Sequence, residues 1–230
     1  MPNNPLTAEQ LLGNLNEIER KFAPPQLYAA GNRRILEEGA RVAVVGSRTA
    51  SPAALARTRK LVGLLIDRGI VVVSGLAYGI DTAAHQAAIA KKGRTIAVIG
   101  TSLDEAYPKE NKDLQDEIRR DHLLISQFAS GYPIQRKNFP IRNRTMALIA
   151  DATVIIEASD TSGSLSQGWE ALRLGRGLFI TKAVAENASL SWPEKMMPYG
   201  ARILSDETVD EFIESLPQRT KAWVNDAVPF

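Results

Sequence analysis

Within nine residues, Arg136-Lys137-Asn138-Phe139-Pro140-Ile141-Arg142-Asn143-Arg144, the sequence gathers four cations, two amides and one aromatic ring, with almost no acid nearby. Cations neutralise phosphates and a flat ring stacks on a base, so these are the ingredients of a groove for a nucleic-acid strand. A solvated basic face has the same composition, and the run alone does not separate the two. If Pro140 opens a helix, Arg142 and Arg144 fall in its first turn, where the helix dipole disfavours cations and an anionic ligand relieves the conflict. A second candidate is the turn Gly46-Ser47-Arg48-Thr49-Ala50-Ser51. It is neither GxGxxG nor GxxxxGK(S/T), which removes the main support for ordinary dinucleotide binding and for ATP hydrolysis. It still suits an anion. Small residues expose backbone N–H groups at a helix start, the Ser47 and Ser51 hydroxyls can donate hydrogen bonds, and Arg48 can grip a phosphate through two donors.

The elements that must position these residues follow from hydrophobic pattern. Thr7 with Gln10 reads as a capping box, and Leu11, Leu15, Ile18 and Phe22 recur at helical spacing, which predicts one amphipathic helix over residues 7–22 ended by Pro24 and Pro25. From residue 41 the pattern changes to short β-branched runs: Arg41 to Val45, Ile70 to Val73, Thr95 to Ile99, Leu123 to Ser126, Thr153 to Glu157 and Leu178 to Thr181. Most are followed by ten or more residues of helical character. Alternation of this kind predicts an α/β doubly wound, mostly parallel sheet with helices on both faces. The first strands run straight into glycine, at Gly46, at Ser74-Gly75 and at Gly100. One such glycine is ordinary turn chemistry; several on one predicted edge mark where backbone can approach a ligand. Ala201 to Ser205 is a further strand, and Val209, Phe212, Ile213 and Leu216 mark a terminal helix. The expected division is therefore 1–40 as an amino-terminal helix and lead-in, 41–216 as the α/β domain, and 217–230 as a loose tail.

Composition narrows the chemistry. The 230 residues include no cysteine and two distant histidines, His85 and His122, so disulfides, thiolate catalysis and Cys-based metal sites are excluded and neither metal nor cofactor is expected. A net charge of +2 leaves any polyanion site to a local concentration of Lys and Arg. No apolar run approaches the length of a membrane span, and Met1 to Glu9 lacks the basic and apolar regions of a signal peptide, so the expected address is the cytoplasm.

Taken in order, several motifs resemble the DprA (Smf) family: Gly46-Ser47-Arg48; Ser74-Gly75-Leu76-Ala77-Tyr78-Gly79-Ile80-Asp81 with Ala84-His85; Leu103-Asp104 with Tyr107-Pro108; Phe139-Pro140 with Arg142-Asn143-Arg144; Glu157-Ala158; Ser162-Gly163-Ser164-Leu165; and Gly175-Arg176. The resemblance runs from about Leu27 to about Thr181. It implies a Rossmann-like fold that binds single-stranded DNA in a basic pocket, protects it and helps load a RecA-type recombinase during natural transformation, as a homodimer. Carried over, it places Gly46, Ser47, Arg48, Ser51, Ser74, Gly75, Tyr78, Lys137, Phe139, Arg142, Asn143, Arg144, Ser162, Gly163 and Ser164 at the DNA or phosphate site. Phe139 is assigned either to base stacking or to buried packing. Asp81 and His85, four residues apart, either face the pocket or form a structural bond that caps the helix, and Tyr107 is read as core.

The sequence also departs from the family's pattern. Tyr78 stands where an arginine is usual, which exchanges a cation for a ring. The amino-terminal part is too short for the extra helical domain many relatives carry, and no winged-helix segment is visible after the sheet. Glu170 sits where the related Lonely-guy nucleotide phosphoribohydrolases place a catalytic glutamate. That resemblance implies an alternative: Glu170 stabilises an oxocarbenium-like ribose while Arg142 holds the substrate, or the pocket senses a nucleotide. The bland reading pairs Glu170 with Arg173 on a helix surface.

Overall fold

A computed structural model describes residues 4–218. Its eight strands form one sheet: β1 (Tyr28–Gly31), β2 (Arg41–Val45), β3 (Val71–Ser74), β4 (Thr95–Ile99), β5 (Leu123–Ser126), β6 (Ala152–Ile155), β7 (Gly177–Thr181) and β8 (Ala201–Leu204). The helices are α1 (Ala8–Leu12), α2 (Glu17–Phe22), α3 (Pro52–Asp67), α4 (Ile80–Ala90), α5 (Lys112–Asp121), α6 (Asn138–Ile149), α7 (Ser164–Arg173), α8 (Lys182–Ala185), α9 (Trp192–Met196) and α10 (Val209–Glu214). The central strands are β-branched runs buried along their whole length, the pattern of strands covered on both faces.

The strand order is β1-β5-β4-β3-β2-β6-β7-β8. All pairs are parallel except β1 with β5. From β2 the chain steps outward through β3, β4 and β5, then returns to lay β6 on the other side of β2. The direction of winding thus reverses between β2 and β6, and this is where open α/β sheets leave a crevice at their carboxyl edge. Alternate residues serve opposite faces: Ile96 and Val98 pack toward α1, α6 and α9, while Ala97 and Ile99 pack with Ile118 of α5. Val42, Val44 and Val72 meet α3, α4 and α10.

The amino-terminal segment departs from its pattern. Thr7 and Gln10 do form the capping box, but the helix stops at Gly13, whose φ of +84° suits glycine, and a second box of Asn16 and Glu19 opens α2. Two short helices replace the single one expected. Ile18 is left 53% exposed, while Leu11 and Leu15 enter the core. Residues 28–31, read as lead-in, pair with β5 as the outer strand. At Gly31 (φ +102°) an added Cβ would collide with the His122 carbonyl, so the close approach of that edge needs glycine. Helix α6 starts at Asn138, two residues before Pro140, so Arg142 lies in its second turn. The remaining strands and the terminal helix form where the β-branched and apolar runs predict. Of the expected tail, residues 219–230 lie outside those described. No helix among the described residues is long and apolar enough to cross a membrane.

Candidate functional site

At the β2/β6 reversal the carboxyl edge opens into a cavity of about 390 Å³. One wall is the turn after β2. The Ser47 N–H donates to the Glu157 carbonyl at 2.7 Å, and the Ser47 carbonyl accepts from the Ile80 N–H at 3.2 Å. This lashes the turn to the ends of β6 and α4. Gly46 is required there, because a Cβ would lie 2.8 Å from the Glu157 carbonyl oxygen. Arg48 is exposed at the cavity mouth with its guanidinium 5.7 Å from the centre of the Phe139 ring. Phe139, half-buried, lies against Gly100, where a Cβ would come within 2.8 Å of the ring. The Tyr107 ring flanks it at 5.3 Å, tilted by 44°. Tyr107 is 44% exposed, which corrects its reading as core.

Arg142 forms the floor and is 5% exposed. Its Nη1 donates to the carbonyls of Gly75 and Val98, each at 2.5 Å, and its Nε donates to the Asn143 Oδ1 at 3.1 Å. Gly75 exists for this contact, since any Cβ would overlap the guanidinium. The arginine therefore plugs the ends of two strands while lining the cavity. Burial lowers its pKa; the Asp81 carboxylate opposes that shift and Arg48 adds to it. Burial likewise raises Asp81, with Arg142 opposing. Asp81 Oδ2 accepts from the backbone N–H groups of Gly75 at 3.2 Å and Ala77 at 3.3 Å, so it ties the loop to the start of α4. His85 bonds Thr95 Oγ1 at 2.7 Å rather than Asp81, and burial pushes its pKa down to about 3. Asn143 Nδ2 donates to the Gly163 carbonyl at 3.2 Å, fastening α6 to the turn before α7. In that turn the Ser162 and Ser164 hydroxyls share a 2.6 Å hydrogen bond.

Of the residues marked from sequence, Gly46, Ser47, Arg48, Phe139, Arg142, Asn143, Ser162, Gly163 and Ser164 line this one cavity. The others do not. The Ser51 hydroxyl donates to Glu157 Oε2 at 2.5 Å and accepts from the Ala54 N–H, so it locks and caps α3 instead of reaching an anion. Ser74 is buried and donates to the Val44 carbonyl at 2.7 Å. Lys137 is exposed at the start of α6, outside the lining. Tyr78 is 42% exposed beyond it. Arg144 turns away to Glu170, with Nε 3.4 Å from the carboxylate. Glu170 pairs with Arg173 as well, at 3.6 Å, but is 8% exposed rather than on the surface. It is thus held between two arginines and does not line the cavity. Gln167, unmarked in the sequence, lines the cavity one turn into α7 and keeps a buried Oε1 without a hydrogen bond. A helical glutamine carries no signal that distinguishes it from a solvated one.

The chain matches the profile of the DNA recombination-mediator protein A family over residues 8–217. It is 45% identical over 157 residues to DNA processing protein DprA of Streptococcus pneumoniae, covering 68% of this chain and 55% of that protein. To DprA of Bacillus subtilis it is 32% identical over 196 residues, 85% of this chain and 65% of the other. The chain thus spans between 55% and 65% of these relatives' lengths. The solved structure of the S. pneumoniae protein superposes with a TM-score of 0.79 at 34% identity, covering 93% of this chain and 74% of that one. A Helicobacter pylori DprA structure, described for its single-stranded DNA binding mode, gives 0.75 at 27% identity, with 94% and 97% covered. A molybdenum cofactor binding protein of Rippkaea orientalis, 20% identical with a TM-score of 0.57 over 77% of this chain and 97% of its own, shares the fold alone. With the profile spanning nearly all the described residues and the cavity at the sheet's reversal point, the chain belongs to the DNA recombination-mediator protein A, or DprA, family.

Proposed function

We propose that this chain binds single-stranded DNA through the cavity between β2 and β6. The observation that carries this reading is Arg48 standing over Phe139 at the cavity mouth, a phosphate clamp beside a base-sized flat ring. The Gly46 turn and the Ser162–Ser164 turn bring backbone N–H groups to the same edge, and Arg142 and Asn143 supply further donors or acceptors. Arg144 and Lys137 lie outside the lining and contribute on this reading through the surrounding field, and Tyr78 through its ring. Family membership supports the wider role: a cytoplasmic protein that protects single strands, assists a RecA-type recombinase and acts as a homodimer. The nucleotide-hydrolase alternative is set aside because Glu170 is held by Arg144 and Arg173.

Fluorescence anisotropy of a labelled oligo-dT of ~20 nucleotides, against matched duplex and mononucleotide over a salt series, tests the proposal. Salt-sensitive preference for the single strand is expected. Equal affinity for a mononucleotide points instead to a nucleotide-sensing pocket, and no binding overturns the reading.

A further inference from the structure

A second hollow opens past the carboxyl ends of β6, β7 and β8, and it shares no lining residue with the cavity at the β2/β6 reversal. Its volume is about 400 Å³, walled by α3, α8 and the segment after β8. Leu61, Leu64, Ile156, Leu204 and Val209 make its lining apolar. Leu61, Ile156 and Leu204 belong to the core between the sheet and α3, so the hollow reaches down to that core. The Thr181 hydroxyl donates to the Ile156 carbonyl at 2.8 Å, which leaves these two polar groups of the floor satisfied by each other. Charge is confined to the rim. Lys60 Nζ donates to both carboxylate oxygens of Asp206 at 2.9 Å, bridging α3 to the segment after β8, and Lys182 stands 4.0 Å from Glu186. Arg57 has no such match: among the described residues it enters no ion pair, and its Nε is buried without a hydrogen bond. A desolvated guanidinium N–H without an acceptor costs free energy that a ligand oxygen recovers. Glu207 completes the rim, so three cations face three acids and the lining carries no net charge. Unlike the strand cavity, it builds no field for a polyanion.

We infer that this hollow binds a small amphiphilic monoanion, a molecule with one carboxylate on an apolar body: the carboxylate bonds Arg57, and the body lies on Leu61, Leu64 and Ile156. A volume of this size suits a small molecule, with apolar walls for its body and one polar group to fix its orientation. The Lys60–Asp206 bridge at the rim admits a compact ligand end-on and obstructs an extended peptide laid across it. The acids of the rim favour a ligand with one negative charge over a phosphate with two. The inference stands independently of the single-strand reading, since the two sites have no lining residue in common.

The probe is anilinonaphthalene sulfonate, an aromatic body with a single anionic group whose fluorescence rises on apolar burial. It is titrated onto the full chain and then displaced by octanoate, octanol, inorganic phosphate or a short peptide with a leucine at its free carboxyl terminus. Saturable binding at a single site is expected, displaced by octanoate and by neither octanol nor phosphate. Arg57→Gln keeps most of the bulk and removes the charge, and is expected to weaken octanoate roughly tenfold with an unchanged melting temperature. Arg57→Lys recovers part of that loss, since an ammonium cannot reproduce the fork. Leu64→Asp, which sets a like charge on the apolar wall, abolishes binding. Wild-type protein that binds no probe, or Arg57→Gln that binds octanoate as tightly as wild type, overturns the inference. Displacement by octanol as effective as by octanoate overturns it too, since the site is then apolar alone, and displacement by phosphate marks a simple anion site instead. Tighter binding of the peptide than of octanoate replaces the small molecule with a protein partner and overturns the assignment of the occupant.

Discussion

The two edges of the sheet use arginine in opposite ways. At the amino edge, Arg41 opens β2 with its backbone N–H on Asp151 Oδ2 at 2.8 Å and its Nε 3.8 Å from the same oxygen. Beside it Arg176 pairs with Glu19 of α2. Arg41 is buried and Arg176 partly so, each against an acid, and they serve to close the sheet under the amino-terminal helices. At the carboxyl edge, Arg48 and Arg142 repel one another across a cavity, and the amino termini of α3, α4 and α7 gather there with them. An arginine met by a carboxylate is a joint, and one left facing like charge and helix dipoles waits for an anion. Arg142 spans both cases, since it is bonded to strand ends and still lines the cavity.

Breaking that dual residue should have the largest effect. Arg142→Ala leaves the carbonyls of Gly75 and Val98 and the Asp81 carboxylate without their cation, and is expected to cost about 3 kcal/mol of stability, read by urea unfolding. Arg142→Lys, which cannot reproduce the fork, should recover only part. On the amino edge, Glu19→Ala strands Arg176, which keeps 23% of its side chain exposed, so a loss of about 2 kcal/mol is expected, below that of a fully buried pair. Strand affinity should not change, and a fall in affinity matching the fall in stability would collapse the distinction between the edges. Arg48→Ala gives the converse: roughly tenfold weaker strand binding with an unaltered melting temperature. The smallest effect sharpens the amino edge alone. Burial pushes the Asp151 carboxyl from 3.8 up to about 7, against the pull of Arg176. The folded state therefore holds this proton more tightly than the unfolded chain does. The stability so gained is complete below about pH 4 and lost as pH rises through about 7. Melting temperatures between pH 5 and 8 should fall more steeply in wild type than in Asp151→Asn, and parallel curves would refute the assignment.

How far the sequence could be read depended on the range of the interactions involved. The strands from β2 onward were legible because β-branched runs buried on both faces leave a continuous apolar signature. The amino-terminal helix was not, since the apolar period runs on through Gly13 while the backbone turns there and starts again at Asn16. In the basic run, residue types pointed to a polyanion site but not to which cations face it. At 100° per residue, Arg142 and Arg144 point some 200° apart, and the second meets Glu170 instead of the cavity. Ser51 and Ser74 had the right chemistry, but distant partners, Glu157 and Val44, consume it.

By itself, then, the sequence determined a parallel sheet edged with glycine turns, a cationic and aromatic run after β5, and a family resemblance that named the cavity's main walls. These are properties of residue type and local period, which a chain carries before it folds. Only the tertiary structure decided that Tyr107 stands in the open beside Phe139, that Glu170 is tied down by two arginines, and that Gln167 reaches the cavity. Each of those depends on elements brought together by the return of the chain from β5 to β6. Whether a polar group is free for a ligand depends on what the rest of the chain has already bonded to it, as with Ser51 and a carboxylate 106 residues away.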